Sequence, residues 1–218
     1  MSPSPHRRPP RTGYSRAERL SDGAVHLAGL GVVVVGVPVL LWLTAARGDG
    51  AALAGVAVYA LALAAMIGCS ALYNIGRDSA RAWLWRRLDH AAIYLKIAGT
   101  YTPFTLITGH GMALTLGLWG AAALGMAMKL ADPERFRWLA LALYLGMGWA
   151  GVVAGQAMIA ALPGPVLALM LAGGITYTLG VAFYLWRGLP FHITIWHGFV
   201  LVASGLFYAA VTVLVLAG

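Results

Sequence analysis

The 218 residues are 61% hydrophobic and only 10% charged, with a mean hydropathy of +0.80. Soluble domains carry about a quarter charged residues, and a fold of this length cannot hide so much apolar surface in its own core. The formal net charge of +8 sits between apolar runs rather than on a polar face interleaved with aromatics, so nucleic-acid binding is excluded and an integral membrane protein is expected.

Residues 1–20, rich in Pro, Ser and Arg, read as a disordered basic tail in the cytoplasm, and residues 21–218 as one transmembrane domain. The first helix is expected from about Leu27 to Ala46, too long for a signal-peptide core. Further helices are expected over Ala51–Tyr73, Leu88–Ile107, Met112–Met128, Trp138–Ile159, Val166–Trp186 and Ile193–Leu216, with Pro163, Pro165 and Pro190 as breaks. A span needs about 20 mostly apolar residues, so about seven fill the chain. The expected fold is therefore an all-α, seven-helix transmembrane bundle. Glycine is abundant, and Gly146, Gly148, Gly173 and Gly174 are expected at close helix contacts. The single cysteine, Cys69, has no intramolecular disulfide partner.

Orientation follows from the basic residues, which favour cytoplasmic segments. With the N-terminus inside, the tail holds Arg7, Arg8, Arg11, Arg16 and Arg19. The inner loops hold Arg77, Arg81, Arg86, Arg87, Lys129, Arg135, Arg137 and Arg187. Outer loops hold only Arg47, and Lys96 alone lies within a span. The C-terminus is then outside. The expected location is a bacterial inner membrane, with lipids as the surrounding partners.

Polar side chains inside a span are costly, so they mark where chemistry would sit. Here they are His26, Ser70, Asn74, Asp89, His90, Lys96, Gln156 and His197. Most fall toward the inner ends of their helices, and Ser70 and Asn74 share a face of the second helix, so a polar cluster is expected at that end of the bundle. Glu18, Asp22 and His26 repeat every four residues. The expected role of that stripe is an interfacial helix lying on the inner leaflet; the alternative brings His26 into the cluster. Lys96 lies nearly two turns after Asp89, and helical side chains lean toward the N-terminus, so Lys96 can reach back toward Asp89; the alternative is that it snorkels or pairs elsewhere.

Several stretches resemble one family. These are Ser70-Ala-Leu-Tyr-Asn74, Arg87-Leu-Asp-His-Ala-Ala-Ile93, Ala98-Gly-Thr-Tyr-Thr-Pro-Phe104, Gly173-Gly-Ile-Thr-Tyr-Thr-Leu-Gly180 and Ile195-Trp-His-Gly-Phe-Val200. They are similar to signatures of hemolysin III-like proteins, the bacterial branch of the progestin and adipoQ receptor family. The resemblance implies seven helices with the N-terminus inside, and a zinc ion near the cytoplasmic face. Ser70, Asp89 and His197 match the family's zinc-site pattern. Asn74 and Ile193 stand where the family has ligand histidines, and Phe207 where a further His is sometimes found. The implied zinc site is therefore incomplete. His192, next to Ile193, is a replacement ligand only if Pro190 lets it bend inward.

Three functions follow and stay open. One is a protein that binds a lipid or small amphiphile and affects membrane state or signalling, its zinc site degraded. The second is a zinc-dependent lipid-amide hydrolase, ceramidase-like, with Asp89 as general base to a zinc-activated water. The third is a pore, or a transporter of ions or protons through Asp89, His90 and His197.

Overall fold

The computed structural model describes residues 15–217, and among them all regular structure is helical. The order is α1 (Arg16–Ala45), α2 (Gly50–Ile75), α3 (Ala82–Thr108), α4 (Met112–Ala131), α5 (Arg137–Ala154), α6 (Gln156–Ala161), α7 (Gly164–Leu185) and α8 (His192–Ala217).

The helix ends have local causes. A reciprocal capping box starts α1: Glu18 N–H donates to Ser15 Oγ at 3.2 Å and Ser15 N–H to Glu18 Oε2 at 2.8 Å. Helix therefore begins at Arg16, inside the segment expected to be tail; residues 1–14 lie outside the described residues. Asp49 caps α2 by accepting from Ala51 and Ala52 N–H. The α3–α4 turn uses Gly109 and Gly111 at φ +70° and +85°, a left-handed backbone that a side chain would strain. The helix expected over Trp138–Ile159 divides into α5 and α6 at Gly155. Gly155 N–H bonds the Gly151 carbonyl, and a Cβ on Gly155 would lie 2.6 Å from that oxygen and 3.0 Å from Leu114 Cδ2 on α4.

Six helices are long and apolar enough to cross a membrane: α1, α2, α4, α5, α7 and α8. Their outer faces are oily. Leu61 is 72% exposed and Val153 79%, a surface that suits lipid and not water. The exception is α3, which at 27 residues is long enough to cross but more polar. It is the interior helix, packed on α2, α4, α5, α6 and α8. Buried along it are Tyr94, Lys96, Thr100, Thr102, Phe104 and Thr105. Protein, not hydrocarbon, meets its polar groups: Trp119 Nε1 donates to Thr102 Oγ1 at 3.2 Å, and Thr105 Oγ1 bonds Thr115 Oγ1 at 2.5 Å.

Small residues set the helix spacing. A Cβ on Gly99 of α3 would come within 2.5 Å of Ala62 Cβ on α2, and one on Gly173 within 2.7 Å of the Phe207 ring. Gly146 and Gly148, expected to do the same, have open space beside them and are not packing points.

Candidate functional site

Four helices bring polar side chains to one end of the bundle, where Arg77, Arg81, Arg86, Arg135 and Arg187 also lie in or beside the turns. From α1 come Glu18, Asp22 and His26, only 4%, 2% and 5% exposed. This corrects the interfacial expectation. The stripe faces inward, because α8 offers it partners that water and headgroups would otherwise supply. Glu18 Oε1 accepts from Phe191 N–H at 2.9 Å, and Ser21 Oγ bonds Thr194 Oγ1 at 3.1 Å.

Asp22 is the hub. Its Oδ1 accepts from His197 Nδ1 on α8 at 2.6 Å, and the Arg77 guanidinium lies 3.8 Å from Oδ2. His26 Nδ1 donates to the Asp22 carbonyl at 2.8 Å, which leaves Nε2 as an acceptor. That nitrogen faces Ser70 Oγ at 3.2 Å and Asn74 Nδ2 at 3.4 Å, both on α2. Asn74 also donates to the Ser70 carbonyl at 3.0 Å and accepts from Arg77 through Oδ1. The His26 and His197 rings meet edge to face, centroids 4.5 Å apart. Arg77, Asn74, His26, Asp22 and His197 thus form one connected chain across α1, α2 and α8.

This network borders a cavity of about 750 Å³ inside the bundle, within the ~300–1,000 Å³ range of small-molecule sites. His26, Ser70, Asn74, Asp89, His90 and His197 line its polar part; Phe104, Met158, Ile159, Leu167 and Met170 line the far, apolar part. Asp89 makes no hydrogen bond or ion pair among the described residues. His90 stands edge-on to Tyr73, centroids 6.5 Å apart. Gln156 opens α6, at the other end from the network.

Lys96 does not reach back to Asp89. Its Nζ donates forward to Thr100 Oγ1 at 2.7 Å, and the Tyr59 and Phe207 rings cover it at 4.9 and 5.6 Å. A hydroxyl one turn ahead and two ring faces outweigh the usual backward lean.

Residues 15–208 match the sequence model of the family described as haemolysin-III related. The chain belongs to that family. It is 34% identical to Hemolysin-3 of Bacillus cereus over 202 residues, 91% of this chain and 92% of that one. It is 42% identical to the Hemolysin-3 homolog of Bacillus subtilis (strain 168) over 127 residues, spanning 57% of this chain and 60% of the relative. A more distant relative is the human Monocyte to macrophage differentiation factor, 30% identical over 127 residues, 56% of this chain and 52% of that protein. The family is a multi-pass membrane family related to the progestin and adipoQ receptors.

At the two altered ligand positions the residues do not fit a metal. The Asn74 amide is engaged by Ser70, His26 and Arg77, and Ile193 has no donor atom. Another set could hold a metal ion. Ligand atoms of Asp22, His26 and His197 lie within 4.8 Å of one another, an N₂O donor set of the kind zinc accepts. Two of those residues come from α1. The signal that could have found them was the four-residue repeat of Glu18, Asp22 and His26. His192 is not in this group; its ring lies against the Phe183 and Tyr184 carbonyls at the end of α7.

Proposed function

We propose that this protein binds a single-chain amphiphile inside the bundle, and through it affects membrane state or signalling. The observation that carries the reading is the internal cavity, polar on one side and apolar on the other. An amphiphile fits that division, with its chain among Phe104, Met158 and Leu167 and its polar group in the part that runs from His197 to Lys96. In this reading α3 is the seventh crossing. The basic end faces the cytoplasm, by the excess of Lys and Arg there, and puts the N-terminus inside and the C-terminus outside. A bacterial plasma membrane suits both relatives from Bacillus.

Native mass spectrometry of the full chain in nanodiscs tests the reading. The expected result is about one acyl amphiphile retained per chain, lost in Met170→Trp, which grows a ring into the apolar part. Protein that carries none, or a Met170→Trp variant that carries as much, would contradict it.

A second reading is supported by the Asp22, His26 and His197 group. These three residues would hold a divalent ion, which would supply Lewis acidity beside the cavity. Asp89, a cavity carboxylate with no hydrogen-bond partner among the described residues, would be the proton acceptor of a lipid-amide hydrolase. To bind the ion, His197 must give up its hydrogen bond to Asp22. Elemental analysis decides: about one zinc per chain, lost in both His197→Ala and His26→Ala, supports this reading, and folded metal-free wild type sinks it.

A further inference from the structure

Seven residues beyond Asp89, about 10 Å farther along α3, Lys96 lies away from the arginines of the basic end. It is only 3% exposed. An ammonium has three protons to donate. One goes to Thr100 Oγ1, and the hydroxyl proton of Thr100 goes back to the Lys96 carbonyl at 2.7 Å. The others point among the Tyr59 and Phe207 rings. Among the described residues Lys96 forms no ion pair.

A cation buried without a counter-ion is costly, and two ring faces offset only part of that cost. Among the described residues, every other charged side chain buried at least as deeply as His26 has an answering group: Glu18 bonds Phe191 just before α8, Asp22 bonds His197 on α8, and Lys129 donates to the carbonyls of Pro133 and Arg135. Lys96 is the exception, and it lines the cavity together with Thr100, Tyr177 and Phe207. The Tyr59 hydroxyl, on the ring that covers Nζ, is itself buried with no hydrogen-bond partner among the described residues. Both are unspent donors in one buried region, and of the two residues only Lys96 lines the cavity.

We propose that Lys96 is the seat for the carboxylate of a long-chain fatty acid, whose tail runs on toward Phe104 and Met158. This rests on the amphiphile reading above and adds the chemistry of the head. One ammonium balances one negative charge. A phosphate monoester head carries about −1.5 to −2 at neutral pH and would leave excess negative charge in an apolar wall. An uncharged head would leave the ammonium as uncompensated as before.

The test compares palmitate with its methyl ester on the full chain in nanodiscs, by equilibrium binding. Wild type is expected to bind the acid at least about tenfold more tightly than the ester, the scale set by breaking one buried charge pair. Lys96→Met is expected to bring the acid down to the level of the ester, and Lys96→Arg to keep most of the preference. Equal binding of acid and ester by wild type would overturn the proposal while leaving the amphiphile reading intact. So would a Lys96→Met variant that still prefers the acid, which would put the head among the arginines. Failure of both probes to bind would remove the amphiphile reading, and this proposal with it. The acid-to-ester ratio on wild type needs no variant, so misfolding of Lys96→Met cannot leave the question undecided.

Discussion

Helices α1 and α3 both carry charge into the interior, and they treat it in opposite ways. On α1, Glu18 is answered by the N–H groups of Ser15 and of Phe191 just before α8, and Asp22 by His197 on α8 and Arg77 just beyond α2. On α3, Lys96 meets one hydroxyl and two rings, and Asp89 meets the cavity. The first arrangement closes a joint between helices; the second leaves charges on the cavity with no ion-pair partner among the described residues. Burial alone therefore does not separate a structural ion from a binding one. The presence or absence of a partner does.

The largest expected effect falls on the closed side. Asp22→Ala leaves His197 and Arg77 without their carboxylate and should cost on the order of 3 kcal/mol, read as a drop in thermal midpoint in detergent. Asp22→Asn, which can still accept from His197, should cost less. Next comes helix spacing. Gly99→Val pushes α3 off Ala62 and should cost about 1–3 kcal/mol by the same measurement. Glu18→Ala removes the carboxylate half of the capping box, which accepts from Ser15 N–H, and the bond to Phe191, and should cost about 1–2 kcal/mol, most visible as earlier hydrogen exchange at the start of α1. The smallest effect is expected at Lys96→Met, which should leave the thermal midpoint unchanged or raised, since no partner is stranded. A Lys96→Met loss as large as that of Asp22→Ala would erase the contrast between the two helices.

Much of this was legible in the chain. The apolar runs place the long helices to within a few residues at most ends, and the family motifs mark Ser70, Asn74, Asp89 and His197 as residues that gather at one end. The inward turn of α1 was not legible, because a four-residue polar repeat looks the same whether its face meets headgroups or α8. The choice is made by Thr194, Phe191 and His197, far away in sequence. Lys96 was misdirected for a related reason. The N-terminal lean of helical side chains is a weak local preference, and rings contributed by α2 and α8 overrule it. The polarity of α3 hides its length from a hydropathy reading, since an interior helix need not be oily all round. The break at Gly155 carries no proline or turn motif, so no local pattern reports it.

Photolabelling with a fatty acid that carries a diazirine at the end of its chain tests the central claim, that the interior of the bundle is a ligand site. Peptide mapping of the labelled full chain should find the adduct on cavity residues of the apolar part, Phe104, Met158 or Leu167, and excess palmitate should suppress it. Labels confined to the lipid-facing surface, at Leu61, Trp42 or Val153, and indifferent to palmitate, would contradict the account.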